Sequence, residues 1–206
     1  MRIRRVFLAL VVPALLAATC NGFAQEAEAR PAPERLTADA RRTTAGGATF
    51  TVPAGWSITT GKNMVVIEAP EPDTHIAIAE SDASDAKAAV AAAWVAYKPA
   101  ANRPLKLVTP RPARNGWEER QVFNYETSPN ERAVVQVIAS RAGQAWTVII
   151  LDGTEPTFEK RSAPIGLIVQ SLRPKGYARA SLSLRVKPII SMPHTSRCSR
   201  RSSRVP

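Results

Sequence analysis

The stretch from Gly116 to Gly153, GWEERQVFNYETSPNERAVVQVIASRAGQAWTVIILDG, constrains the fold more than any other part of the chain. Three runs of β-formers are broken by two turn signals, Ser128-Pro129-Asn130 and Ala142-Gly143. In the second run Ala133, Val135, Val137 and Ala139 share one face, and Val134, Gln136, Ile138 and Ser140 share the other. That period-two spacing with β-branched residues is the signature of a strand. The third run, Ala145 to Leu151, is apolar on both faces, as in a strand covered from both sides. The stretch therefore predicts an antiparallel meander at the centre of a sheet. It carries no evident catalytic group.

The flanks extend the same architecture. Thr49 to Val52, Ser57 to Thr60, Met64 to Glu68 and Thr74 to Glu80 read as strands, with Trp56 folding back from the Pro53-Ala54-Gly55 turn onto the core. Ser84 or Asp85 caps the clearest helix, AKAAVAAAWVAYK, which is rich in the best helix former. Its apolar stripe is Val90, Trp94 and Tyr97, and Pro99 ends it. Leu105 to Val108 is a short strand that Pro104, Pro110 and Pro112 keep at an edge. Thr154 caps a second helix running through Phe158, Ile165 and Leu172, in which Pro164 predicts a kink or the opening of a second short helix. The expected class is α+β: an antiparallel sheet of about five to seven strands with helices 85–98 and 155–172 packed on it.

The net charge of +11 invites a nucleic-acid reading, but it is concentrated at the ends. Residues 1–24 hold three Arg and no acid, and residues 178–206 hold seven Lys or Arg and no acid. The body is left at about +1, so a phosphate-binding groove and a nucleic-acid partner are not expected. Residues 1–24 combine MRIRR, the apolar run Val6–Ala18 and small residues at Gly22 and Ala24, which reads as a signal peptide. The destination is then the periplasm or the medium, with no membrane span left after cleavage. A lipoprotein signal on Cys20 is the second choice, because Thr19 precedes it. Residues 25–46 read as a flexible leader, 47–177 as the domain, and 178–206 as a basic, disordered tail. The tail changes composition so abruptly after Tyr177 that it also reads as the product of a shifted reading frame. Cleavage leaves Cys198 alone, so no disulfide, metal site or cofactor is implied.

FTVPAGW, AAVAAAWVAYKP, RPLKL, GWEERQVFNYETSPNERAVV and TFEKRSAPIGLIVQSLRPKGY follow one another in an order that resembles a known arrangement. It is similar to the N-terminal region of exported bacterial serine hydrolases of the β-lactamase family, class C or penicillin-binding type. There a small domain precedes the catalytic one. The resemblance covers roughly residues 48–177. It implies a non-catalytic accessory domain that docks on a hydrolase catalytic domain or binds a protein partner, with that catalytic domain missing from this chain. The same order resembles PsbP-like domains, an α/β/α sandwich, which implies a free-standing periplasmic module working through protein contacts. Either way the chain as it stands is not expected to be an enzyme.

Residues with chemistry are few. Those hydrolases use Ser-x-x-Lys, in which the Lys one turn on eases deprotonation of the Ser. Ser84-Asp85-Ala86-Lys87 is the literal match and would make a small hydrolase, but the partner motifs are absent and a helix cap explains Ser84 as well. His75 lies in a strand with no carboxylate or Cys at metal spacing. Glu118, Glu119, Glu126 and Arg120 would line a groove beside Trp117 and Tyr125, giving Trp117, Tyr125 and Glu119 as binding candidates; the wet face of an edge strand looks the same. Trp56, Trp94 and Trp146 are read as core. Asp152-Gly153-Thr154 would hold an anion at a helix start or simply make a turn.

Overall fold

The computed structural model describes residues 32–178. The residues read as a signal peptide, Cys20, Cys198 and the stretch read as a basic tail lie outside the described residues. An eight-stranded sheet is built from β1 (Glu34–Arg35), β4 (Ser57–Thr60), β5 (Met64–Glu68), β6 (His75–Ser81), β10 (Ala145–Thr154), β9 (Ala133–Ala142), β8 (Glu119–Tyr125) and β7 (Leu105–Arg111), in that spatial order. Every neighbouring pair in it is antiparallel. β2 (Ala40–Thr43) and β3 (Thr49–Val52) pair as a separate two-stranded hairpin. Helices α1 (Ala86–Tyr97), α2 (Glu155–Lys160) and α3 (Ser162–Ser171) complete the domain, which is of the α+β class.

The alternation read in the sequence sorts the sheet into two covered faces. On one, Ala77, Ala79, Val137, Ala139, Val148 and Ile150 leave room for α1, whose Ala86, Ala89, Val90 and Ala93 press against them. Small residues on both surfaces let the helix approach closely. The buried stripe of α1 is therefore mostly alanine, and Trp94 and Tyr97 sit at its half-buried margin. On the other face, Ile67, Ile76, Ile78, Ile149 and Leu151 meet Phe50 and Val52 of β3 with Ile165 and Ile168 of α3. Trp56 folds back among them and is 1% exposed. Backbone hydrogen bonds in both directions join Thr49 and Arg173, so β3 and α3 form one layer.

Two expectations need correction. Residues 34–46 are not a leader: β1 pairs with β4, β2 pairs with β3, and Leu36 is buried in the core. With β1 included the main sheet has eight strands, beyond the about five to seven expected from alternation alone. The break near Pro164 is the two-helix form. α2 stops at Lys160, and Pro164 stands in the first turn of α3, where its missing N–H costs nothing.

Candidate functional site

The Ser84–Lys87 match lies at an exposed helix start. Asp85 is the cap, its Oδ1 accepting from the Ala88 amide at 2.9 Å, while the Ser84 hydroxyl donates to Asp85 Oδ2 at 3.3 Å. The cap bond draws the Asp85 carboxyl below its usual pKa. Ser84 and Lys87 are both exposed, and neither lines any of the five best-formed clefts.

Trp117, Tyr125 and Glu119 are not brought together. Trp117 is 5% exposed in the α3-side core, its indole N–H donating to the Leu172 carbonyl at 3.4 Å. Glu119 and Tyr125 face α1 from the two ends of β8, roughly 20 Å apart along the strand. Glu119 accepts from Arg141 at 3.1 Å and from Gln121 at 3.0 Å. The Tyr125 hydroxyl accepts from Trp94 Nε1 at 2.9 Å, and the two rings meet edge to face. Arg120 projects from the opposite face of β8, so the groove expected from these side chains does not form.

The topology does assemble a polar row at the far end of α1. Glu68, His75 and Asp152 are successive cross-strand partners on β5, β6 and β10. His75 Nε2 is 3.7 Å from Glu68 Oε2. Lys98 Nζ donates to Asp152 Oδ2 at 2.5 Å and the Tyr97 hydroxyl donates to the same oxygen at 3.3 Å. Burial, and then the Asp152 charge, hold the Tyr97 phenol well above its usual pKa. A cleft of 610 Å³ lies on one side of this row, lined by Met64, Val66, Glu68, His75, Tyr97 and Lys98. One of 330 Å³ lies on the other, between Trp94, Arg103 and Asp152. The carboxylate of Asp152 is engaged by Lys98 and Tyr97, and the phenol of Tyr97 stays protonated. No group of three or more His, Cys, Asp or Glu among the described residues is arranged to hold a metal ion.

A second feature lies at the other end of the sheet. β7 is an edge strand with β8 on one side only. Leu105, Leu107 and Val108 on it are 45%, 57% and 36% exposed, three of the five large hydrophobics left exposed among the described residues. A register shift between Leu105 and Leu107 puts Leu105 and Val108 opposite Tyr125 and Phe123, on the α1 side, and Leu107 opposite Asn124, on the other. β7 then turns into β8 through Asn115-Gly116, both at positive φ (56° and 86°), with Arg114 and Trp117 hydrogen-bonded to each other on either side. This is the two-residue hairpin loop that Asn-Gly favours. It sets Arg111 directly across from Arg120 and brings Arg114 beside them. Among the described residues no carboxylate pairs with any of the three. The Nε of Arg120 is sealed from solvent with no acceptor. Burial first, then Arg114 and Arg111, pull its guanidinium below its usual pKa.

The arginine cluster and the opposed pair of Arg111 and Arg120 were hidden in the sequence, because they depend on register. Asn115-Gly116 was the one local signal that would have exposed them.

Fold and surface together define an α+β sandwich with one open, cation-rich sheet edge. No protein-family model matches the chain, and no curated protein does. Among solved structures it is similar to cyanobacterial PsbP (CyanoP) from Synechocystis sp. PCC 6803, determined in solution, at 14% identity and a TM-score of 0.48, over 67% of this chain and 93% of that one. The resemblance to the N-terminal region of β-lactamase-family hydrolases has no counterpart in these comparisons. No helix of the described residues is long and apolar enough to cross a membrane.

Proposed function

We propose that the chain is an exported, free-standing module that binds a protein partner and does no chemistry of its own. One observation carries this reading: Leu105, Leu107 and Val108 stand exposed on both faces of an edge strand whose outer backbone groups have no partner among the described residues. An open edge with apolar side chains is a template for another chain, and native proteins leave one uncovered where it is used. The groups that would do chemistry are committed elsewhere, Ser84 to Asp85 and Asp152 to Lys98 and Tyr97. Export rests on the signal peptide read in residues 1–24.

The test pairs a binding assay with an activity assay. After amine crosslinking in cells, the chain is expected in a discrete complex with a second protein, and Leu105→Asn with Leu107→Asn is expected to abolish it. The purified chain is expected not to turn over a chromogenic β-lactam or an ester. Turnover that disappears in Ser84→Ala would replace this reading with a hydrolase.

A further inference from the structure

We infer that the occupant of the β7 edge is an extended, acidic segment of the partner, added as a ninth strand with its carboxylates held by Arg111, Arg114 and Arg120. This rests on the reading of the chain as a protein-binding module and specifies the surface and the chemistry of what it binds.

Like charges placed directly opposite on neighbouring strands are destabilising. The fold nonetheless sets Arg111 across from Arg120, adds Arg114, and supplies no carboxylate among the described residues. Arg120 further carries a buried donor, Nε, with nothing to donate to. Arg111 and Arg114 are exposed beside it, so carboxylates from outside are the natural complement of the cluster. Carboxylates meet guanidinium groups with paired, charge-assisted hydrogen bonds.

The neighbouring strand says what carries those carboxylates. Leu105 and Val108 face one side of the sheet and Leu107 the other. A flat anionic surface such as a lipid headgroup layer would touch only one of those sides. A strand laid along the edge covers both, and its alternate side chains reach both faces. A groove of 310 Å³ beside Lys106, Leu107, Asn124 and Gln136 gives one such side chain a seat. Pro110 has no N–H to offer, so pairing is confined to about five residues, from Leu105 to Thr109. Lys106 and Pro110 are the residue types that keep edges from pairing indiscriminately. Here they turn away a basic or neutral strand and admit an acidic one.

Two nearer occupants lack the acids. A second copy would bring two sets of Lys106 and Arg111 together without an acid in either strand. Residues 179–206 hold seven Lys or Arg and no Asp or Glu.

The experiment places photoreactive benzoylphenylalanine at position 107 of the full chain and, separately, at position 95, which is exposed on α1. Irradiation of cells making these proteins is expected to give an adduct from position 107 to one other protein, through a peptide rich in Asp or Glu. Arg111→Glu with Arg114→Glu is expected to cut its yield at least about tenfold, and Arg111→Lys with Arg114→Lys to retain most of it. Both positions are exposed, and a melting curve confirms folding. Should the reversal unfold the chain, Arg111→Gln with Arg114→Gln reads the same loss. An adduct of twice the chain's own mass, one to a lipid, one indifferent to the charge changes, or one to a peptide without acids overturns the inference. A protein adduct from position 95 alone overturns the β7 site but leaves the binding reading standing. No protein adduct from either position removes both.

Discussion

Asp152 stands directly across from His75 in the β6–β10 pairing, but its carboxylate serves α1, accepting from Lys98 at 2.5 Å and from Tyr97 at 3.3 Å. The end of the helix is thereby tied to the central strand of the sheet. The pair of residues that looks most like a catalytic couple is in this way a structural joint.

That joint has an alkaline signature. Burial and the Asp152 charge keep Tyr97 protonated beyond the point, about pH 10, at which the same phenol ionises in the unfolded chain. There the unfolded chain has released a proton that the folded one retains, so stability is full below that pH and declines as pH rises above it. Tyr97→Phe is expected to flatten most of the decline in melting temperature between about pH 9 and 11. A smaller slope remains from Tyr125, whose phenol burial also raises. Asp152→Asn is expected to lower the tyrosinate midpoint of Tyr97 only part of the way, because burial is the larger cause. Absorbance of tyrosinate against pH checks it.

The acid side belongs to Glu71, in the connection between β5 and β6. Arg161 grips it with two hydrogen bonds, 2.9 and 2.8 Å, and Lys160 approaches to 2.7 Å. These partners lower its pKa from 4.5 to about 2. A carboxylate shifted down contributes stability above its unfolded pKa, lost as pH falls toward the folded value. Beside it Asp73, also lowered, accepts from Thr154 at 2.7 Å and from Thr157 at 3.1 Å. Glu71→Gln is expected to leave the melting temperature less dependent on acid between pH 4.5 and about 2. Circular dichroism melts across that range decide it.

Residues 133–151 could be read as strands because each alternation is local and each face is covered by something apolar. The Ala-rich helix was legible for the same reason, down to Asp85 as a candidate cap. β1 and β2 were not, since Glu34–Arg35 and Ala40–Thr43 carry no apolar period and are held by pairing with distant strands. Thr154 was placed correctly as the residue before α2, but its hydroxyl donates to Asp73 rather than capping the helix. The row of Glu68, His75 and Asp152 depends on β6 lying between β5 and β10, which no spacing within one strand encodes. Arg111 opposite Arg120 depends in the same way on the hairpin's register.

Gly153 of β10 lies close against Thr74, the residue before β6. A Cβ there would lie 2.8 Å from the Thr74 Cα, which is backbone and cannot swing aside. Gly153→Ala is expected to destabilise the domain by about 1–3 kcal/mol through overpacking. Urea unfolding of the two proteins measures it, and an unchanged midpoint would mean that Thr74 and β10 move apart freely.

The start of α1 separates a cap from a catalytic dyad. Asp85→Ala removes the acceptor for the Ala88 amide and is expected to lower the melting temperature, whereas Ser84→Ala leaves it nearly unchanged. Lys87→Ala, at an exposed position, is expected to change neither folding nor partner capture. An ester or β-lactam hydrolysis rate that tracks Ser84 and Lys87 would contradict the cap reading.

The opposed arginines make the sharpest prediction, because stability and binding should move in opposite directions. Arg111 is exposed at the end of an edge strand, so its replacement leaves no cavity. Arg111→Glu turns a repulsive cross-strand pair with Arg120 into an attractive one, which is expected to stabilise the domain by about 0.2–1 kcal/mol. The same change puts a carboxylate where the partner's carboxylate is to sit, so capture through position 107 is expected to fall. A residue whose only role were structural would show loss of both or of neither. The diagnostic result is therefore a higher unfolding midpoint in urea together with a weaker photoadduct, and added salt should shrink both effects, since both arise from charges near solvent.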